Sequence, residues 1–197
     1  IVWGRADEIN PTDVLSPKNY LLLLPEGISA YRFGTTALKI DYFAGRDVRI
    51  TGVWLPMTSQ SLIPLATPPD GVRVDTEPPA IRLENGIAGV KIDRSGSTVD
   101  ASISYAYGYN LLPEVRLTSF QQDPETSAVR ASVALRNARQ HMIGLDGATA
   151  WGRFGLRGEV AYYLTDNPHG HRVDGVTPSI FYVLGAERTL PADVSVI

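Results

Sequence analysis

The 197-residue sequence predicts an all-β chain, and three observations support that fold class. Apolar and polar residues alternate with a period of two over segments of about 9 to 12 residues. Helical periodicity is scarce, and the connections between the alternating segments are alternately short and long. Each segment therefore fits an antiparallel strand whose two faces meet different surroundings.

Eight segments are predicted as strands by this alternation, although Ser179 to Glu187 is ambiguous because apolar residues occupy both of its faces. In the clearest of them, Ile103 lies on an apolar face while Asp100 and Ser102 lie on the opposite, polar face. The eight predicted strands are Gly34 to Ala44, Asp47 to Leu55, Gly86 to Asp93, Ser97 to Tyr109, His141 to Trp151, Phe154 to Tyr163, Ser179 to Glu187 and Val194 to Ile197.

The connections divide into two classes by length. The short ones are Gly45 to Asp47, Arg94 to Ser97, Gly152 to Phe154 and Leu190 to Asp193. The long ones are Asn10 to Phe33, Leu55 to Arg82, Asn110 to Gln140 and Thr165 to Pro178. The two classes alternate along the chain, as periplasmic turns and extracellular loops do in outer-membrane barrels.

The segment Ser127 to Asn137 also alternates, but counting it as a crossing would put the next two connections on the wrong sides. We therefore place it inside the long connection, as a short helix or a strand extension above the membrane.

Strand length and aromatic placement favour a membrane setting. Strands of about 9 to 12 residues suit a tilted crossing, and barrels carry aromatic residues at both interfaces. Ordinary core aromatics are the alternative interpretation. Near the long-connection ends lie Trp54, Tyr105, Tyr107, Tyr109, Tyr162 and Tyr163, and near the short-turn ends lie Tyr42, Phe43, Trp151 and Phe154. We therefore predict a transmembrane antiparallel β-barrel.

Two stretches carry a resemblance. The run from Val2 to Asp13, VWGRADEINPTD, resembles large proteobacterial outer-membrane porins, including the alginate-export-like group, in which a strand reading WGR leads to an outer loop opened by NPTD. The stretch His141 to Asp146, followed by Gly155 to Tyr162, is similar to a hairpin of the same families. The resemblance implies a barrel with more strands than this chain supplies.

The strand count agrees with that implication. Eight strands plus the segment at Ile1 make an odd total, whereas single-chain bacterial barrels have even numbers. We therefore expect residues 1–197 to be one partial barrel domain, incomplete at both ends.

The charged residues on the polar faces are the candidate pore-lining set. They carry both signs, so they predict a wet lumen without a single-sign filter. Pairing across the wall is the alternative interpretation for each of them individually. The set is Lys39, Asp41, Arg49, Lys91, Asp93, Asp100, Asp146, Arg157, Glu159 and Glu187. We also expect Leu55 to Arg82 or Asn110 to Gln140 to fold inward and narrow the pore, because such long connections are often functional.

Other chemistry finds little support in the sequence. The net charge of −3 offers no basic stripe for nucleic acid, and the absence of cysteine excludes disulfides and thiolate metal sites. His169 and His171 lack a third metal ligand at suitable spacing, so a solvated loop is favoured over a metal site. No hydrolase, zinc-protease or phosphate-loop motif is present. We therefore expect neither enzyme activity nor a cofactor.

The N-terminal acids allow two interpretations. Asp7, Glu8 and Asp13 could form a carboxylate cluster for acid–base chemistry. The favoured interpretation is that Arg5 and Asp7 face the lumen, while Asn10 and Asp13 form turns.

The function expected from pattern and resemblance is an outer-membrane channel, a porin or export pore, for small hydrophilic solutes or an anionic polymer. Its expected partners are outer-membrane lipid, lipopolysaccharide and the solute. Two alternatives stay open. One is a structural barrel that sheathes an electron carrier or a secreted chain, and the other is a soluble all-β binding module.

Overall fold

The computed structural model describes residues 3–5, 10–21, 32–57, 59–65, 67–122, 124, 129–165, 178–189 and 195–196. These residues form eleven strands and one short 3₁₀ turn at Leu83–Asn85. The strands are β1 Leu38–Ala44, β2 Val48–Leu55, β3 Val72–Glu77, β4 Ile87–Arg94, β5 Val99–Tyr109, β6 Glu114–Gln122, β7 Val129–Arg136, β8 Arg139–Trp151, β9 Phe154–Thr165, β10 Ser179–Thr189 and β11 Ser195–Val196. Within the described ranges, no helix has the length and apolar character needed to cross a membrane.

The main structure is one large antiparallel sheet. Its strand order is β1-β2-β4-β5-β8-β9-β10-β11. Each of the eight predicted strands overlaps one strand of this sheet, so the all-β, antiparallel prediction is confirmed. In the part of the chain that the structure describes, β1 and β11 pair with their inner neighbours and not with each other, so the sheet does not close into a barrel.

The two longest connections meet in a second, smaller sheet. Its order is β3-β7-β6, with β7 antiparallel to β6 and parallel to β3. Because β6 follows β5 after four residues and β7 precedes β8 by two, the pair β6–β7 extends the β5–β8 hairpin. The described part of the segment Ser127 to Asn137, which begins at Val129, thus lies outside the large sheet, as predicted, and β7 within it is a strand extension rather than a helix.

The large sheet has one apolar face. Residues directly opposite each other on paired strands share a face, because side chains alternate along each strand. One row across seven strands reads Tyr42, Ile50, Ile92, Ile103, Leu145, Val160 and Tyr182. This face is open to solvent: the side chains of Ile40, Tyr42 and Leu184 are 62%, 64% and 80% exposed.

The opposite face is polar, and the chain covers part of it. The N-terminal segment, which we define as described residues 3–5 and 10–21, crosses this face without pairing into the large sheet. Trp3 and Leu15 are buried there, in one cluster with Leu55, Ile87 and Met142. The prediction that the first residues form a strand is therefore wrong for Trp3 to Arg5. These residues pack on a sheet face and do not pair with a strand of the large sheet.

Candidate functional site: the charged face and the segment that covers it

All ten predicted pore-lining residues lie on the polar face of the large sheet. The strand register shows this, because residues that oppose each other on paired strands share a face. Arg49 opposes Asp93, and Asp146 opposes Glu159. The remaining members lie an even number of positions from such residues along their strands or oppose residues of the same face. The alternation in the sequence therefore grouped all ten residues on one face of the sheet, and their role in lining a pore stays a prediction. The structure adds that most of these charges are engaged with one another or with the N-terminal segment.

Two buried aspartates form the centre of the site. Arg5 of the N-terminal segment bridges them, with Nη2 3.2 Å from Asp93 and Nε 3.3 Å from Asp146. Lys91 of β4 bridges the same pair from the large sheet, whose polar face we call the wall. Its Nζ lies 3.4 Å from Asp93 and 3.1 Å from Asp146. Arg49 Nη2 lies 3.2 Å from the second oxygen of Asp93. Buried charges are tolerated when paired in this way, and removal of one partner is costly.

Glu159 holds the N-terminal segment at a second point. Its Oε1 accepts hydrogen bonds from the backbone N–H of Thr12 (2.6 Å) and from the Thr12 hydroxyl (2.8 Å). Its Oε2 accepts one from the backbone N–H of Arg5 (3.1 Å). Glu159 is 3% exposed, so these bonds replace the water that its carboxylate would otherwise bind. One wall carboxylate thereby fixes two parts of the segment.

Glycines shape the surfaces that meet here. Gly4 has φ +101°, a backbone conformation that favours glycine, and a Cβ there would overlap the Glu159 carboxylate. On the wall, a Cβ at Gly89 would come within 2.5 Å of the Trp3 ring, and one at Gly144 would overlap the Thr12 methyl group. The wall is therefore shaped to accept the segment closely.

A third contact region surrounds Asp13. Its backbone N–H donates to Asn10 O (3.0 Å), which confirms the predicted turn. The Asp13 carboxylate lies 2.9 Å from Arg32 Nε, and Lys18 Nζ donates to the Asp13 carbonyl (3.3 Å). Burial lowers the pKa of Lys18, and the neighbouring Asp13 carboxylate opposes that shift. Asp13 is thus a structural anchor rather than part of an acid–base cluster, and Asp7 and Glu8 lie outside the described residues.

The outer members of the predicted set also have partners. Lys39 Nζ lies 2.6 Å from Asp41, and Arg157 Nη2 lies 2.5 Å from Glu187. Asp100 accepts a hydrogen bond from the backbone N–H of Gly96 in the β4–β5 turn. The alternative interpretation, in which each charged side chain pairs with a neighbour, therefore holds across the set. Carboxylate partners largely neutralise the cations of the polar face.

An open cavity of about 370 Å³ lies beside this cluster, at the short-turn end of the polar face. Its lining includes Arg5, Asp100, Arg157 and Glu187, together with small residues of the β4–β5 turn and of β8. The N-terminal segment thus covers the middle of the polar face, while the end near the short turns stays accessible.

Sequence reasoning missed the covering segment itself. We expected a long connection, Leu55 to Arg82 or Asn110 to Gln140, to fold inward. In the described parts of both connections, β3, β6 and β7 form a separate sheet. Other parts of the two connections do touch the segment: Leu55 and Leu111 belong to the buried cluster that holds Leu15. Leu62 also exchanges backbone hydrogen bonds with Lys18 and Tyr20. The signal that could have indicated close packing was glycine at Gly89 and Gly144, on a face where polar residues predominate.

Within the described ranges, no group of three or more metal-ligating side chains occurs, and His169 to His171 lies outside them. No protein-family model, curated protein or solved structure matches the chain.

Proposed function

We propose that this chain forms part of the wall of an outer-membrane β-barrel channel, and that the N-terminal segment lies inside the lumen and narrows it. The observation that carries the proposal is the division of the large sheet into one exposed apolar face and one charged face. In a barrel wall, these faces contact lipid and water respectively.

The size of the apolar face supports this proposal over a soluble module. Eighteen large apolar side chains on this face are exposed: Leu38, Ile40, Tyr42, Trp54, Val90, Ile92, Val99, Ile103, Tyr105, Ile143, Leu145, Trp151, Phe154, Leu156, Tyr162, Ile180, Tyr182 and Leu184. Together they present on the order of 2,000 Å², several times the largest apolar patch of about 300–600 Å² on a typical soluble monomer. An apolar surface of this size suits contact with lipid rather than with water.

Strand length supports a membrane crossing. β8 has 13 residues. At about 3.3 Å per residue and a tilt of about 45°, such a strand rises about 30 Å, which matches the hydrocarbon core of a bilayer.

The aromatic residues lie where interfacial side chains are expected. Of the ten predicted interfacial aromatics, eight are on the apolar face, at its two ends. The other two are on the polar face. Tyr163 there donates its hydroxyl to Pro11 O of the N-terminal segment, and Phe43 opposes Arg49. Most of the set thus fits two girdles.

The proposal is tested by single-channel recording of the full-length protein in planar bilayers. We expect stable ion conductance, because the wall presents a charged, hydrated face to the lumen. A protein that inserts but never conducts would contradict the channel and favour a barrel that sheathes a partner. A protein that stays soluble without detergent and does not insert would favour a soluble all-β module.

A further inference from the structure

The strands of the large sheet segregate their charges by sign as well as by face. Among the described residues of these strands, every carboxylate lies on the polar face: Asp41, Asp93, Asp100, Asp146, Glu159 and Glu187. The apolar face carries Arg94, Arg139, His141 and Arg188, all basic and all near strand ends. Among the described residues, an environment that contacts this face therefore meets the positive charges of Arg94, Arg139 and Arg188 at its two rims and no carboxylate.

The long-connection rim holds the most developed of these clusters. Tyr105 Oη lies 2.8 Å from His141 Nδ1, and the Tyr107 and His141 rings stack with centroids 4.6 Å apart. Arg139 Cζ lies 5.0 Å from the ring centroid of Tyr109 and 5.9 Å from that of Tyr107. Stacking on two rings holds the guanidinium in place on the apolar side of the sheet.

Arg139 differs from the cations of the polar face in its partners. Its Nη2 donates to the Glu84 carbonyl and to Asn85 Oδ1, both at 3.0 Å, and Nη1 lies 3.5 Å from Tyr107 Oη. The Glu84 carboxylate lies 3.3 Å from Arg82. Within the described residues, Arg139 therefore has neutral oxygens as partners and forms no ion pair, so its charge remains available to an anion.

We propose that this cluster binds the phosphate group of an anionic membrane lipid, with the acyl chains lying along the apolar face below it. The inference rests on the proposed function, because it assumes that the apolar face meets a bilayer. Arginine and tyrosine donors match phosphate oxygens, and interfacial arginine is attracted to anionic headgroups. Further along the same face of β8, Ile143 and Leu145 are 42% and 51% exposed, which suits hydrocarbon chains. The occupant is thus an amphiphile rather than a free anion.

The test counts lipids retained on the full-length protein by native mass spectrometry after extraction from nanodiscs. The probe is a bis-phosphorylated lipid A added to phosphatidylcholine, compared with the same lipid after removal of its phosphates. We expect retention of the phosphorylated form. The double substitution Arg139→Gln with His141→Gln should reduce that retention about fivefold or more, since one interfacial arginine contributes about 1 kcal/mol. Arg130→Gln, at an exposed position on β7, is the matched control and should retain the lipid.

The outcomes are separable. Equal retention of the phosphorylated and dephosphorylated lipids, or equal retention by wild type and the double variant, would overturn the site. Displacement of the lipid by millimolar inorganic phosphate would also overturn it, in favour of a free-anion site. Channel recordings on the same preparations separate this inference from the proposed function. A protein that conducts but retains no phosphorylated lipid refutes the lipid site alone.

Discussion

Substitution of Glu159 tests whether the N-terminal segment is held against the wall as the structure shows. Glu159→Gln keeps the side-chain size but replaces one acceptor oxygen with an N–H₂ group. That group cannot accept a hydrogen bond, so either the backbone N–H of Arg5 or the donors of Thr12 lose their acceptor, while the remaining amide oxygen still accepts from the other. Glu159→Ala removes all three hydrogen bonds to the segment and leaves its donors unsatisfied.

The size of the effect follows from these contacts. Hydrogen bonds to a charged group contribute about 1.5–3 kcal/mol each, and removing one partner of a buried charged arrangement costs about 3–5 kcal/mol. We expect Glu159→Ala to weaken the covered state by about 3–5 kcal/mol. Glu159→Gln should weaken it by about 2 kcal/mol, a factor of about 30 in the ratio of covered to released states.

The assay is single-channel conductance of the full-length protein, because release of the segment would widen the lumen of the proposed channel. Both variants should show a larger conductance level, occupied more often in the alanine variant. Glu187→Gln is the control, because Glu187 lies on the same face but pairs with Arg157. A folded Glu159→Ala variant with wild-type traces would refute the reasoning. An equal gain in Glu187→Gln would show a general charge effect instead.

Three further predictions follow from the two faces and the connections. Arginine at Ile103, on the apolar face, should destabilise the inserted barrel by about 2–4 kcal/mol in denaturant titrations. Arginine at Ala148, on the polar face beside the open cavity, should cost clearly less, and equal costs would contradict the lipid-facing assignment. Gly144→Val should displace Thr12 and raise conductance as the Glu159 variants do, so unchanged traces would argue against the close packing. A tag at Asp70 should be labelled on intact cells and one at Ser95 should not, and the reverse pattern would invert the topology.

The sheet could be predicted because its determinants are local. Successive side chains along a strand point to opposite faces, so alternate positions carry residue types that suit the surroundings of one face. This is why all ten charged candidates share one face, and why Ser179 to Glu187 forms a strand although its pattern was ambiguous. Ile180, Tyr182 and Leu184 share the apolar face, while Phe181 and Val183 share the polar one.

The covering segment could not be predicted in the same way. The contact between Thr12 and Glu159 joins residues 147 positions apart, and no periodicity encodes such a pair. The resemblance to a porin strand reading WGR predicted strand pairing at this point, whereas Trp3 to Arg5 lie on the sheet face without pairing into it. The parallel pairing of β3 with β7 could not be predicted from local pattern either, because it joins two separate long connections.

In the proposed channel, charge pairing at the centre of the site would connect the N-terminal segment to ion selectivity. With the segment in place, Arg5, Arg49 and Lys91 face three carboxylates, those of Asp93, Asp146 and Glu159. The covered wall is therefore balanced at this level. Because Arg49 and Lys91 each already have a carboxylate partner, the covered face presents no excess of positive charge at this level.

Release of the segment removes Arg5 from this balance. In Gly144→Val the wall then keeps two cations, Arg49 and Lys91, against three carboxylates, so the open channel should prefer cations. In Glu159→Gln one carboxylate is lost as well, and the same two cations face two carboxylates. Reversal potentials in a salt gradient should therefore shift toward cations in Gly144→Val and shift little in Glu159→Gln, although both variants open the lumen. If the two variants shift alike, Arg5 does not leave with the segment, and its contacts with the wall would have to be independent of Thr12.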